Sequence, residues 1–279
     1  GKAYAAQLRA AMAKEAAELA GRGLHPKLAL LLVGDDPASR TYVNAKQRAC
    51  KQIGIVSEVI ELPASASALQ LVEKITRLNH EEGCHGILVQ LPLPAHIDPG
   101  DVLYAVDPRK DVDGLHPENL GLLAAGGTGQ PVACTPRACL YLLERAGVDP
   151  KGKTVAVIGR SRIVGRPLAL LLGNADATVT ACHSRTADFA AACRAADVVI
   201  AAAGSPGLVT GEMVKEGAVV IDVGITRDPD GSLRGDVAFE EAAARAAWIT
   251  PVPGGVGPLT VAMLMRNAID LARAQAGHG

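Results

Sequence analysis

The 279-residue chain lacks surplus charge: 28 Lys and Arg stand against 29 Asp and Glu, a formal net charge of −1. A chain this close to neutral has no electrostatic footprint for nucleic acid or an anionic membrane. Long apolar runs are missing too. "LALLLV" and "VAVIG" are strand-length, far short of the roughly 20 residues a helix needs to span a bilayer, so no membrane span is expected. The six cysteines (Cys50, Cys84, Cys134, Cys139, Cys182, Cys193) include no C-x-x-C, and several sit inside apolar stretches. That favours buried free thiols in a reducing, cytoplasmic setting over a metal site. Met, Trp and Phe are few, which says little about function. No charged-apolar-small leader opens the chain, and it starts at Gly1 rather than methionine; processing or truncation is the expectation, not a signal. Repeats and low-complexity segments are absent as well.

What is present is an alternation of short Val/Ile/Leu runs with helical patterns. With 49% apolar residues, the chain can bury a real core as one large domain or two ordinary ones. "KLALLLVG", a helix through "SRTYVNAKQRACKQIGI", "IVSEVIEL", a helix near 66–82 and "HGILVQLP" read as βαβαβ, hence a parallel sheet covered on both faces. The stretch 92–136 is rich in Pro, Gly and Asp and poor in periodicity, which suggests a functional loop region or a seam. A helix, "PRACLYLLERAGV", then opens a second series with strands at 154–159, 177–182, 197–203, 218–224 and 247–250. The expected fold class is α/β: two α/β domains, the second a doubly wound Rossmann-type nucleotide-binding domain, with a cleft between them. The expected boundaries are 1–137 and 138–257, with a last helix, 258–279, packing back on the first domain.

Several stretches could carry chemistry. Asp36-Pro37 supplies an N-cap and a first-turn proline, and Gly54 a stop, for a helix whose inner stripe would be Tyr42, Lys46, Ala49 and Ile53. A lysine in that stripe either snorkels to the surface or is partly buried, where desolvation favours the neutral amine and makes it a usable base. Tyr42, one turn away, would share its pocket.

"VIGRSRIVGRPLALLL" places a strand end at Gly159, a short loop and a helix opening near Val164, the context that aims free N–H groups at a pyrophosphate. Ser161 holds the second glycine's place of G-x-G-x-x-G and Val164 the third's, so a plain βα turn remains open. The next strand ends in Cys182, His183, Ser184 and Arg185, without the acidic residue typical of NAD sites. With Arg160, these groups suit a 2′-phosphate and favour NADP; a solvated loop is the alternative. Gly147 to Thr154 matches a Walker A spacing, but a helix precedes it and a strand follows, so it reads as an ordinary turn. In "KDVDGLHPENLG", Lys110, Asp111 and Asp113 could form a metal site, a polar turn or a clamp for an amidine-like fragment. "TPVPGGVGPLT" (250–260) is a tight turn, or a place where a flat ligand approaches the backbone.

Taken together and in order, "SRTYVNAKQRACKQIGI", "GILVQLPLP", "DPRKDVDGLHPEN", "ACTPRA", "GRSRIVGRPLALLL", "CHSRT" and "PGGVGPLT" resemble the bifunctional methylenetetrahydrofolate dehydrogenase/cyclohydrolases, the FolD-type enzymes, over nearly the whole chain. Short-chain dehydrogenases also own Tyr-x-x-x-Lys, but there the nucleotide loop comes first, and here the pair precedes it. Val132-Ala133 before Cys134 departs from the family pattern, which more often has proline beside the cysteine.

The resemblance implies a folate-binding catalytic first domain and an NADP-binding second one. It implies Lys46 as the catalytic lysine, Tyr42 beside the folate and Gln90 bonded to the lysine. Val89, Leu91 and Pro92 would line the same cleft, Asp113 would bind the pterin, and Pro253, Gly254, Gly255, Val256 and Gly257 would border folate and nicotinamide. Gly159, Arg160, Ser161, Ser184, Arg185 and Ile225 would hold NADP. No metal is implied. A cytoplasmic homodimer in one-carbon metabolism and purine biosynthesis is expected by resemblance.

Overall fold

A computed structural model describes residues 1–277; the last two residues of the expected helix 258–279 lie outside the described residues. The chain divides into two compact units: one comprises Ala6–Val132 and the chain from Val261 onward, the other Gly1–Ala5 and Ala133–Thr260. In chain order the elements begin with α1 (Lys2–Gly21), β1 (Lys27–Val33), α2 (Pro37–Ile53), β2 (Val56–Leu62), α3 (Ala68–His80), β3 (Gly86–Val89), α4 (Pro99–Tyr104) and α5 (Pro117–Ala124).

The first unit rests on three parallel strands in the order β2-β1-β3. Central β1 is buried along its length after Lys27, whereas edge strand β2 is half-exposed. Leu31, Leu71, Ile75, Val89 and Val102 meet in one apolar cluster on this sheet. Helix α2 starts because the Asp36 carboxylate accepts from Ser39 N at 2.7 Å and Pro37 presets the first turn. It stops at Gly54, which takes the left-handed conformation (φ 90°) and donates its N–H to Cys50 O.

Two expectations change here. The buried face of α2 is Ser39, Val43, Ala49, Cys50 and Ile53, so Lys46 flanks the core and Tyr42 stands 60% exposed. The stripe is rotated because Val43, not Tyr42, is the apolar residue that packs inward. The stretch 92–136, expected as a loop region or seam, contains two short helices as well as the passage between units after Val132. Asp98 and His116 each cap a short helix with proline in its first turn, α4 and α5.

The later elements are α6 (Cys134–Arg145), β4 (Thr154–Ile158), α7 (Gly165–Asn174), β5 (Thr178–Cys182), α8 (Phe189–Ala195), β6 (Val198–Ala201), β7 (Val219–Asp222), β8 (Thr226–Arg227), β9 (Leu233–Arg234), α9 (Phe239–Ala243), β10 (Trp248–Ile249) and α10 (Val256–Ala276). Five parallel strands in the order β10-β7-β6-β4-β5 form the second unit's sheet. Because β4 lies between β5 and β6, the connections wind away from it in opposite directions, and ligands bind where such an order reverses. The Walker-like spacing is a turn from α6 to β4, with Gly147 and Gly152 at positive φ.

The chain passes between units after Val132, a few residues before the expected boundary at 137, which would have cut α6. Residues 1–5 belong to the second unit. Much of α10 packs against the first unit. Asn267 Nδ2 donates to Val112 O (2.8 Å) and Val132 O (2.9 Å), and Arg266 donates to Glu15 at 2.7 Å.

Asn267 is 1% exposed, so truncating it removes both of these bonds where water has little access to replace them. Asn267→Ala is expected to destabilise the first unit by roughly 1–3 kcal/mol, from the loss of the two hydrogen bonds to the Val112 and Val132 carbonyls. Denaturant unfolding followed by a probe in that unit measures it; a loss below about 1 kcal/mol would show that the two bonds contribute little net stability.

Candidate active site

Strand β3 ends at Val89, and the next residue carries the first unit's polar centre. Gln90 N donates to Leu31 O at 2.9 Å, which prolongs the strand pairing and leaves the side chain of Gln90 pinned at its end. Gln90 is 7% exposed, and its amide is fully directed: Nε2 donates to Leu91 O (2.6 Å), so Oε1 faces Lys46 and accepts from its Nζ at 2.9 Å. The lysine is half-buried, and the exposed ring of Tyr42 lies one turn before it on α2.

The "KDVDG" residues divide their labour. Buried Lys110 donates to Leu78 O (2.9 Å) and Glu81 O (2.8 Å), covering the carbonyl end of α3. Asp111 organises the turn: its carboxylate accepts from Gly114 N (3.1 Å), His116 N (2.8 Å) and Asn119 Nδ2 (3.0 Å). Of the three readings of this stretch, the polar turn describes Asp111. Asp113 is half-buried beside Lys46. Burial pushes its carboxyl up to about 6; the Lys46 ammonium pulls it down and Asp111 pushes it further up.

Val89 differs from its expected role. Its side chain is 2% exposed within the apolar cluster, so only its backbone can face a ligand. Leu91 is half-buried and Pro92 exposed, joined by a cis peptide. Lys46, Gln90 and Asp113 are thus gathered in one unit, with Tyr42 adjoining. Residues 253–257 belong to the other unit.

In that second unit the loop after β4 is shaped by two glycines. Gly159 has φ 118°, and a Cβ on it would overlap the carbonyl of Ala202 beyond β6; a Cβ on Gly165 would overlap the carbonyl of Gly159. Gly165 was missed by the sequence reading, which looked for the third glycine at Val164, one residue earlier. Ser161 Oγ accepts from Val164 N (3.2 Å) and Gly165 N (3.4 Å), so its hydroxyl caps α7.

Beyond β5, His183 Nδ1 accepts from Arg185 N and the Thr186 hydroxyl from His183 N, a tight turn that leaves Ser184 and Arg185 exposed with Arg160. Ile225 is 56% exposed, and a Cβ at Gly257 would touch it at 3.7 Å. Gly254 has φ 102°, Pro253 is exposed, and Gly255 and Val256 are buried as α10 begins. This is a close-packed glycine loop at a strand-order switch, with hydroxyl and guanidinium groups and no carboxylate on the 183–186 turn. It fits a 2′-phosphorylated dinucleotide.

All six cysteines are free and buried. Among the described residues, no group of three or more His, Cys, Asp or Glu is placed to hold a metal, and no helix is long and apolar enough to cross a membrane.

The catalytic-domain model of tetrahydrofolate dehydrogenase/cyclohydrolase matches residues 1–113, and the NAD(P)-binding-domain model of the same family matches residues 133–276. The chain belongs to the tetrahydrofolate dehydrogenase/cyclohydrolase family. It is 55% identical to the bifunctional protein FolD of Moorella thermoacetica over 98% of this chain and 97% of that one. The FolD of Acidiphilium cryptum is 56% identical over 99% and 97%. The crystal structure of the FolD dehydrogenase/cyclohydrolase from Campylobacter jejuni superposes with TM-score 0.96 at 45% identity, covering 98% and 97% of the two chains. That of Trypanosoma brucei, complexed with NADP cofactor and inhibitor, superposes at 0.93 with 45% identity, covering 99% and 97%.

In this family member Gly165→Ala is expected to push the Gly159–Arg160 backbone away from α7 and weaken NADP binding at least about tenfold, the scale of one hydrogen bond lost. Calorimetric titration with NADP reads it. Wild-type affinity in a folded Gly165→Ala protein would mean that the close approach does not shape a nucleotide site.

Proposed function

We propose that Lys46, bonded to Gln90 and beside Asp113, is the proton carrier of a bifunctional 5,10-methylenetetrahydrofolate dehydrogenase and 5,10-methenyltetrahydrofolate cyclohydrolase. The chain is such an enzyme of one-carbon metabolism, with NADP as its cofactor. The observation that carries the residue assignment is the 2.9 Å bond from Lys46 Nζ to a Gln90 amide whose nitrogen is engaged by Leu91 O.

NADP supplies the hydride acceptor for the one-carbon bridge. That step needs juxtaposition more than acid or base, so this chain's part is to bind and orient. Gly159, Arg160 and the backbone of Ser161 would hold the pyrophosphate region. Ser184 with Arg160 or Arg185 would hold the 2′-phosphate. Ile225 and residues 253–257 would border the nicotinamide. Asp113, ionised, accepts two N–H donors of the pterin edge, and Tyr42, Leu91 and Pro92 supply apolar wall, with Val89 contributing only backbone.

Hydrolysis follows on the methenyl cation. Water adds to its carbon and loses a proton; collapse of the adduct breaks the bond to N5, the hydroxyl proton leaves and N5 gains one. Lysine can take up and return that proton, and the Gln90 carbonyl holds the amine in line for it. We further read the enzyme as a cytoplasmic homodimer serving purine biosynthesis. The support on this chain for a dimer is the open edge of β2, with Val56 half-exposed, since an unpaired parallel edge is a template for pairing.

Two measurements test this reading. Lys46→Met keeps the helix and its packing but removes the proton carrier. Cyclohydrolase is expected to fall at least about 100-fold while dehydrogenase persists and methenyl product accumulates. A folded Lys46→Met protein that hydrolyses normally sinks the assignment.

The second concerns pH. Asp113 sits near 6 because the ionised form is desolvated, with Lys46 holding it down and Asp111 pushing it up. Only the ionised carboxylate accepts both N–H groups, so folate affinity is full above that value and lost as pH falls through it. Below it, the folate Kd should rise about tenfold per pH unit. Asp113→Asn should bind weakly at every pH and flatten the profile. A wild-type affinity independent of pH between 5 and 7 (roughly one unit either side of the Asp113 value) excludes this role.

A further inference from the structure

The nucleotide unit contains two buried carboxylates that the proposed chemistry does not use. Asp236 is fully buried, yet its carboxylate accepts three consecutive backbone N–H groups from an exposed loop: Ala203 N (2.6 Å) and Gly204 N (2.9 Å) at Oδ2, and Ser205 N (2.7 Å) at Oδ1. Asp222, at the end of β7, holds Asp236 in turn. Asp222 Oδ1 accepts from Asp236 N (3.0 Å) and Gly224 N (2.9 Å), and Oδ2 from Val237 N (2.9 Å). Neither carboxylate has room to move. A Cβ on Gly224 would overlap Asp236, and one on Gly235 would overlap Asp222.

The two ends of this network are both at the cofactor cradle. The held loop begins just after Ala202, whose carbonyl abuts Gly159, and Gly224 directly precedes Ile225. We infer that Asp236 is a positioning residue for NADP: by holding the amides of 203–205 it seats the Ala202 carbonyl against Gly159, and through Asp222 the same network fixes Ile225. This rests on the reading that NADP lies on the Gly159 loop.

The geometry separates positioning from charge. A buried anion close to a phosphate-binding loop repels the ligand, so if Asp236 acted only through its charge, neutralising it would tighten NADP binding. Positioning has the opposite sign. Asp236→Asn has the same size, but its amide turns an NH2 toward at least one of the three N–H groups and cannot satisfy all of them.

In Asp236→Asn, NADP is expected to bind about tenfold more weakly by calorimetry, the effect of one buried hydrogen bond lost or reversed. Hydrolysis of the methenyl substrate in the absence of NADP is expected to stay within about twofold of wild type, since the groups that perform it lie in the other unit. The wild-type protein gives an independent readout. The amides of 203–205 should exchange slowly with deuterium although their loop is exposed, and faster in the variant. Unchanged or tighter NADP binding by folded Asp236→Asn overturns the inference, as does fast exchange of those amides in wild type, which decides the matter if the variant does not fold. Ser184→Asp, run alongside, isolates the underlying reading. If Ser184→Asp weakens NADP binding and Asp236→Asn does not, positioning alone fails; if neither does, the assigned site fails and the inference with it.

Discussion

The hydrogen bond from Lys46 to Gln90 joins residues 44 positions apart, and it forms only because the first unit brings the helix that carries one and the strand end that carries the other together. One end is set by α2, started by Asp36 and Pro37 and stopped by Gly54; the other is set by β3, paired with β1 through the Leu31 carbonyl. A lysine with four rotatable bonds is useful for proton transfer only if its amine has a fixed place. The acceptor that fixes it must itself be fixed. Gln90 meets that condition because its own amide nitrogen is committed to Leu91 O, which leaves one orientation for the oxygen.

Carboxylates do different work in the two units according to what surrounds them. Asp111, Asp222 and Asp236 spend their oxygens on backbone N–H groups and so act as internal ligands that shape loops. Burial pushes Asp222 up to about 6, while its three backbone donors pull in the other direction. Asp113 is raised to a similar value with Lys46 as the chief opposing influence, which couples it to the lysine. The aspartates thus fall into two kinds by what opposes burial of their charge, hydrogen-bond donors for Asp111 and a lysine for Asp113. In "KDVDG" the two kinds are only two residues apart.

The nucleotide unit follows the same economy in its glycines. Gly159, Gly165, Gly224 and Gly235 each occupy a place where a side chain would meet backbone or a buried carboxylate. At Gly159 and Gly165 this lets the strand end, the loop and the first turn of α7 approach closely, with Ser161 taking up the N–H groups of Val164 and Gly165.

Elements governed by local rules were legible from the sequence. The apolar runs that became β1, β3, β4, β6 and β7 and the cap and stop of α2 all depend on neighbours within a few residues. The signals for α4 and α5, Asp98-Pro99 and His116-Pro117, were also in the sequence, obscured by the surrounding Pro and Gly. Only tertiary structure decided the rest. Which side of α2 faces inward depended on what the folded unit packs against it, which buries Val43 and leaves Tyr42 in solvent. Gly165 in place of a glycine at 164 follows from where the Gly159 carbonyl lies. The work of Asp236 is invisible in sequence because its partners lie some thirty residues earlier, at 203–205, and share no pattern with it. Hydrogen bonds across such separations are set by how strands stack and loops close, and no periodicity or spacing along the chain encodes that.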